Sequence, residues 1–102
     1  MLDAAGLADY RNFTQRRIAY ARYRVGSTFT RVPLSAVTIK SDGTVRAQLN
    51  INSGGSSMTV NRVELWNSAG ELFAHEDVSI TINTGQTGIL YWFDFHITEV
   101  AS

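Results

Sequence analysis

Apolar and polar residues alternate along most of this chain, and only the first stretch has a different rhythm. In residues 1–15, Leu2, Ala5, Leu7, Tyr10 and Phe13 recur at spacings that read as a helix, with Asp3 placed to cap it and Gly6 as its weak point. The alternative for this segment is a lead-in that orders only against a partner. From Arg17 the period drops to two. Ile18, Tyr20, Arg22 and Arg24 fall on one side of Arg17–Val25, and Ala19, Ala21, Tyr23 and Val25 on the other, which is the strand signature. Gly26-Ser27-Thr28 closes that strand. Arg31–Lys40 predicts a second extended run, and Pro33, having no amide hydrogen, places it at a sheet edge or a strand start.

Ser41-Asp42-Gly43 predicts a turn, because glycine tolerates the positive φ that such turns need. In the strand that follows, Val45, Ala47, Leu49 and Ile51 point inward while Arg46, Gln48, Asn50 and Asn52 point outward. That is the pattern of an antiparallel sheet with one solvated face. Asn52–Ser57 reads as a flexible, exposed loop. Met58–Trp66 is the next strand, and the phase slip between Val60 and Val63 predicts a bulge near Asn61. Asn67–Gly70 predicts a tight turn with Glu71–Ala74 returning from it, and Val78–Ile82 reads as a separate strand. After the turn at Asn83–Gly88, Ile89–Val100 is the longest and most apolar run. Ile89, Tyr91, Phe93, Phe95 and Ile97 share one face; Leu90, Trp92, Asp94, His96 and Thr98 share the other. Apolar residues on both faces predict a central strand.

Six to seven strands separated by turns every roughly 8–12 residues predict one all-β domain over residues 1–102, an antiparallel sandwich or small barrel behind a short helical segment. The length of 102 residues suits a single core, and an apolar fraction of 44% is that of a globular chain. The absence of cysteine removes disulfides, thiolate nucleophiles and cysteine-based zinc sites. The first seven residues lack the basic region and apolar run of a secretory signal, so no export signal is expected. Ile89–Phe93, the longest strongly apolar stretch, is too short to span a bilayer, and no membrane partner is expected.

Net charge is zero, but its halves differ: residues 1–50 carry eight basic side chains against three acidic, and residues 51–102 carry one against six. This asymmetry predicts either a basic binding patch and complementary assembly faces, or neighbouring strands that neutralise one another. The run Arg16–Arg24 interleaves basic and aromatic residues, as a single-stranded nucleic-acid site does, with Tyr20, Arg22 and Arg24 on one strand face. Trp66, Trp92, Tyr91 and Tyr20 are the rings that could stack on sugars; in strands, such rings are more often core. His75-Glu76-Asp77 and the pair Asp94 and His96 are the only groupings of potential ligands, short of the three or four a metal needs. Ser53-Gly54-Gly55-Ser56 lacks the lysine and the strand–helix setting of a phosphate loop. No catalytic, cofactor-binding or metal-binding residue is assigned, and the expectation is a non-enzyme.

Val63-Glu64-Leu65-Trp66-Asn67-Ser68-Ala69-Gly70-Glu71-Leu72-Phe73-Ala74 resembles the hairpin of bacteriophage tail-fibre and tail-collar proteins, where an apolar strand ends at an aromatic, turns through Asn or Asp to Gly, and returns as Glu-Leu-Phe-Ala. The early Leu2–Leu7, the strand ending at Arg22–Gly26 and the late Ile89–Val100 are similar to that family's context. The resemblance implies a structural protein of a virion tail, attaching a fibre or adhesin to the tail or baseplate, made in the host cytoplasm and without catalytic residues. Its implied partners are further copies of itself and neighbouring tail or baseplate proteins, with a surface glycan as an additional one. The Pro33 edge and Met1–Thr14 are the expected contact surfaces. A carbohydrate-binding module and a nucleic-acid-binding β-barrel are the alternatives.

Overall fold

The computed structural model describes residues 4–96 and turns the alternating segments into seven strands behind one helix. The helix α1 (Ala4–Arg17) leads directly into β1 (Ile18–Val25), followed by β2 (Thr28–Val32), β3 (Leu34–Ile39) and β4 (Thr44–Asn52). The chain then forms β5 (Met58–Asn67), β6 (Leu72–Ile82) and β7 (Gly88–His96). All pairings are antiparallel. They build a four-stranded sheet in the order β2-β1-β5-β6 and a three-stranded sheet in the order β3-β4-β7. The inner faces of the two sheets enclose the core, so the predicted all-β sandwich with a short N-terminal helix is the architecture observed.

The core comes from period-two alternation. On β4, Val45, Ala47, Leu49 and Ile51 have no solvent exposure, as their spacing requires. On β5, Val60, Val63 and Leu65 are equally buried, and the β5–β6 ladder shifts register between Val60 and Arg62, at the predicted irregularity near Asn61. Ala21 and Tyr23 of β1, Ile82 of β6 and Phe93 of β7 complete the layer.

The hairpin joining β5 to β6 is held by one side chain. Asn67 Oδ1 accepts from the amides of Ala69 and Glu71, both at 3.0 Å, and the Gly70 amide donates to the Asn67 carbonyl at 3.1 Å. Gly70 adopts φ 77°, where a side chain is strained.

Five details depart from the sequence reading. The helix runs through Arg17, so the first strand begins at Ile18; Asp3, the expected cap, lies outside the described residues. Ile18 does not share a face with Tyr20: a register shift between them turns Ile18 into the core beside Ala21. The run Arg31–Lys40 is two strands in different sheets, and the chain crosses between them at Pro33, where a missing amide interrupts no ladder. Conversely, Leu72–Ala74, which Glu71 precedes, and Val78–Ile82 belong to one strand. The polar His75-Glu76-Asp77 stays extended because its backbone is paired to β5 at an edge where those side chains reach water. Finally, β7 is an edge strand of the described sheet: β4 holds the central place, and the second apolar face, Leu90 and Trp92, is turned to solvent. Ile97 and Thr98, assigned to this strand from the sequence, lie outside the described residues.

Leu49→Ala is expected to destabilise the fold by about 3 kcal/mol, and Leu90→Ala by less than about 0.5 kcal/mol. Urea denaturation of the two variants tests this assignment of inner and outer faces.

Candidate functional site

The outer face of the four-stranded sheet carries most of the sequence's candidate residues, set in three cross-strand rows. Tyr20 of β1 lies opposite Trp66 of β5, which lies opposite Leu72 of β6. The next row is Arg31, Arg22, Glu64 and His75, and the third is Phe29, Arg24, Arg62 and Asp77. Tyr20, Arg22 and Arg24 therefore share one face, as their spacing predicts.

The rings on this face are already occupied. The Arg31 guanidinium sits 3.8 Å from the centre of the Tyr20 ring. Arg22 lies over both Phe29, at 4.1 Å, and Trp66, at 4.7 Å. Tyr20 and Trp66 run parallel, their planes 7° apart and their centres 6.0 Å apart. Each such cation–π contact contributes about 0.5–1 kcal/mol when partly exposed. A base or sugar entering this face must displace an arginine from the ring it needs.

Glu64 is the anchor of the lattice. It is 3% exposed and accepts hydrogen bonds from Arg22 Nε at 3.0 Å, Arg62 Nε at 2.8 Å and Trp66 Nε1 at 2.9 Å. Burial by itself pushes its carboxyl up; the bonds from Trp66, Arg62 and Arg22 outweigh that and hold it below its ordinary value. Arg24 Nε donates to Asn61 Oδ1 at 2.6 Å, and Asn61 Nδ2 donates to the Gly26 carbonyl at 3.0 Å, tying the bulge to the β1–β2 turn. No local pattern marks Glu64 as buried. Its outward position on β5 is legible from alternation, but its burial comes from the arginines and the indole that close over it.

The outer face of the three-stranded sheet repeats the motif on a smaller scale. Arg46 lies 4.8 Å from the Trp92 ring and binds Asp94 through two hydrogen bonds, at 2.7 and 2.8 Å. That bonding raises the Arg46 guanidinium and lowers the Asp94 carboxyl from their ordinary values. Asp94 is thus taken by an arginine, while His96 Nδ1 pairs with Thr44 Oγ1 at 3.0 Å. His75 stands on the other sheet, opposite Glu64. Among the described residues no three His, Asp or Glu side chains gather as metal ligands. Of the two readings of the charge asymmetry, local neutralisation accounts for Arg22 with Glu64 and Arg46 with Asp94, each joining the basic half to the acidic half.

Between the open edges of the sheets, Phe73 stacks on Phe95 with ring centres 5.6 Å apart. The Tyr91 phenol, pushed up to about 12 by burial and by a hydrogen bond to Glu76, closes the gap between β6 and β7. Leu90 and Trp92 border the shallow depression beside this pair.

The helix is the remaining surface. None of its residues is buried, and Tyr10 and Phe13 are 57% and 56% exposed. They share an open hollow of about 400 Å³ with Asp9 and Arg16. The opposite side is lightly attached: Gln15 Nε2 donates to the Val37 carbonyl at 2.8 Å, and the Arg11 guanidinium lies against Gly43 in the β3–β4 turn. No described helix is long and apolar enough to cross a membrane.

No family model, curated protein or solved structure matches this chain.

Because the folded state favours ionised Glu64, its contribution is complete above the ordinary value of 4.5 and is lost as pH falls through the lowered folded value. Glu64→Gln is expected to cost about 2–3 kcal/mol at neutral pH, discounted for the partly exposed arginines. It is also expected to flatten the loss of stability in acid. Urea unfolding of both proteins between neutral pH and pH ~3 checks the size and the slope.

Proposed function

We propose that this chain is a structural domain of a phage or prophage virion, at a tail-fibre, collar or baseplate attachment, working through protein–protein contact. The observation that carries the contact reading is α1: fourteen residues of helix, none of them fully buried in their own domain, that hold Tyr10 and Phe13 toward solvent. A helix of this length is marginal alone in water, and helices in proteins owe their stability to an apolar face packed on something. The sandwich meets the helix on its other side, through Gln15, Arg11 and the Arg17 carbonyl, so the surface for Tyr10 and Phe13 belongs to a second molecule. The virion setting is supported by the likeness of Val63–Ala74 to the tail-fibre hairpin, a segment that turns here through Asn67–Gly70.

The carbohydrate alternative keeps one supporting observation, the 45% exposure of Trp92, although Arg46 already covers part of that ring. The nucleic-acid alternative is weakened by the capped rings around Arg22 and by Glu64, which holds both Arg22 and Arg62.

Two measurements test the proposal. The chain is expected in purified particles by mass spectrometry, and it is expected to form a complex with a structural protein encoded beside it. Tyr10→Ser with Phe13→Ser is expected to weaken that complex roughly tenfold or more while leaving the melting temperature of the free domain unchanged. Particles that lack the chain, or a complex indifferent to the double substitution, would overturn the corresponding half of the reading.

A further inference from the structure

We propose that β7 is a self-association edge, at which two copies of this chain join by antiparallel pairing of β7 with β7. The inference rests on the contact reading above and deepens it by naming a second copy as one partner; its geometry is separate from that of the helix.

A sheet edge presents unpaired amides and carbonyls to any other strand, and proteins blunt their edges with proline, charge, bulges, short length or a covering element. Three of the four edges here are blunted in those ways. The strand β2 has five residues, carries Arg31 and runs into Pro33. The strand β3 has six residues, follows Pro33, shifts register between Leu34 and Ala36, and lies under α1, whose Gln15 occupies the Val37 carbonyl. The strand β6 is long, but it carries His75, Glu76 and Asp77, and its ladder shifts register twice.

Among the described residues, the strand β7 has none of these devices. It contains no proline, lysine or arginine, and all nine of its residues pair with β4 without a register shift. Its single carboxylate, Asp94, is neutralised by Arg46. Its outward side chains, Leu90 at 49% and Trp92 at 45%, are the most exposed large apolar residues on any described strand.

The strand is also complementary to itself. A twofold axis makes both copies use the same patch. Only the register centred on Trp92 overlaps all of Gly88–His96, setting Gly88 opposite His96 of the second copy. In that register Trp92 meets Trp92, Tyr91 meets Phe93, Ile89 meets Phe95, and Leu90 meets Asp94. No carboxylate faces another. The two three-stranded sheets become one continuous sheet, and the free amides and carbonyls of both edges are paired.

The test is sedimentation velocity with light scattering on the full chain, from micromolar to millimolar concentration, alongside Leu90→Lys and Trp92→Lys. Because the chain has no cysteine, Trp92→Cys and a control, Ser27→Cys in the β1–β2 turn, report register through oxidative cross-linking. The expected result is a dimer, weakened roughly tenfold or more by each lysine, with a covalent dimer from Trp92→Cys alone. A single-copy particle at every concentration, a dimer indifferent to both lysines, or equal cross-linking at Ser27→Cys overturns the proposal. If a lysine variant loses its far-ultraviolet circular dichroism, the cross-linking pair decides. A monomer refutes self-pairing only; docking through the helix stands or falls on the Tyr10 and Phe13 variants.

Discussion

The inner faces of β4 and β5 admit no solvent, and that dryness constrains every other side chain in the sandwich. Val45, Ala47, Leu49 and Ile51 from one sheet and Val60, Val63 and Leu65 from the other are fully buried. Strand side chains alternate, so fixing one face inward fixes the other outward, and a slip of one residue exchanges them all. The outward positions of Arg22, Glu64 and Trp66 follow from the inward positions of Ala21, Val63 and Leu65. The chain relaxes this constraint at only a few places. The shift between Ile18 and Tyr20 brings Ile18 into the core while leaving Tyr20 outside to meet Trp66. The shift beside Asn61 lets Val60 and Val63 both be buried, and it frees Asn61 to hold Arg24.

On the outer face, the unequal charge of the two halves of the chain is used internally. Glu64, from the acidic half, is covered by Arg22 from the basic half and by its own neighbours Arg62 and Trp66. A carboxylate so enclosed is costly unless each of its oxygens is bonded, and here both are. The Arg22 guanidinium also lies on Phe29 and Trp66, so charge and rings that look like a ligand site in the sequence form a closed lattice in the fold. Such a lattice stiffens the sheet and leaves few groups free for a partner. The surfaces still available are of another kind: the unburied helix with Tyr10 and Phe13, and the bare edge of β7. Both expose large apolar side chains, and both suit contact with protein better than contact with a small polar ligand.

How much of this was legible beforehand differs by residue. The inward set on β4, the Asn67–Gly70 turn and the irregularity at Asn61 could be read directly, because alternation and turn chemistry act over a few neighbouring residues. The split of Arg31–Lys40 could be read only in part: Pro33 announced an edge or a strand start, but not that the chain changes sheets there. The unity of β6 was hidden, since the polar His75-Glu76-Asp77 interrupts the apolar pattern and only β5, pairing its backbone, keeps it extended. The candidate site was half visible. Tyr20, Arg22 and Arg24 were correctly placed on one face, while the burial of Glu64 and the capping of the rings had no local signal.

The sequence by itself determined that this chain is a two-faced β protein, which residues of β4 and β5 fill its core and that it turns at Ser41–Gly43 and Asn67–Gly70, since each of these rests on the stereochemistry of short segments. Only the tertiary structure decided that β7 lies at an edge of the described sheet, that Arg22 and Arg46 find Glu64 and Asp94, and that Tyr10 and Phe13 stay more than half exposed. Those outcomes depend on which strands come together across forty or more residues, and no local pattern specifies a partner that distant.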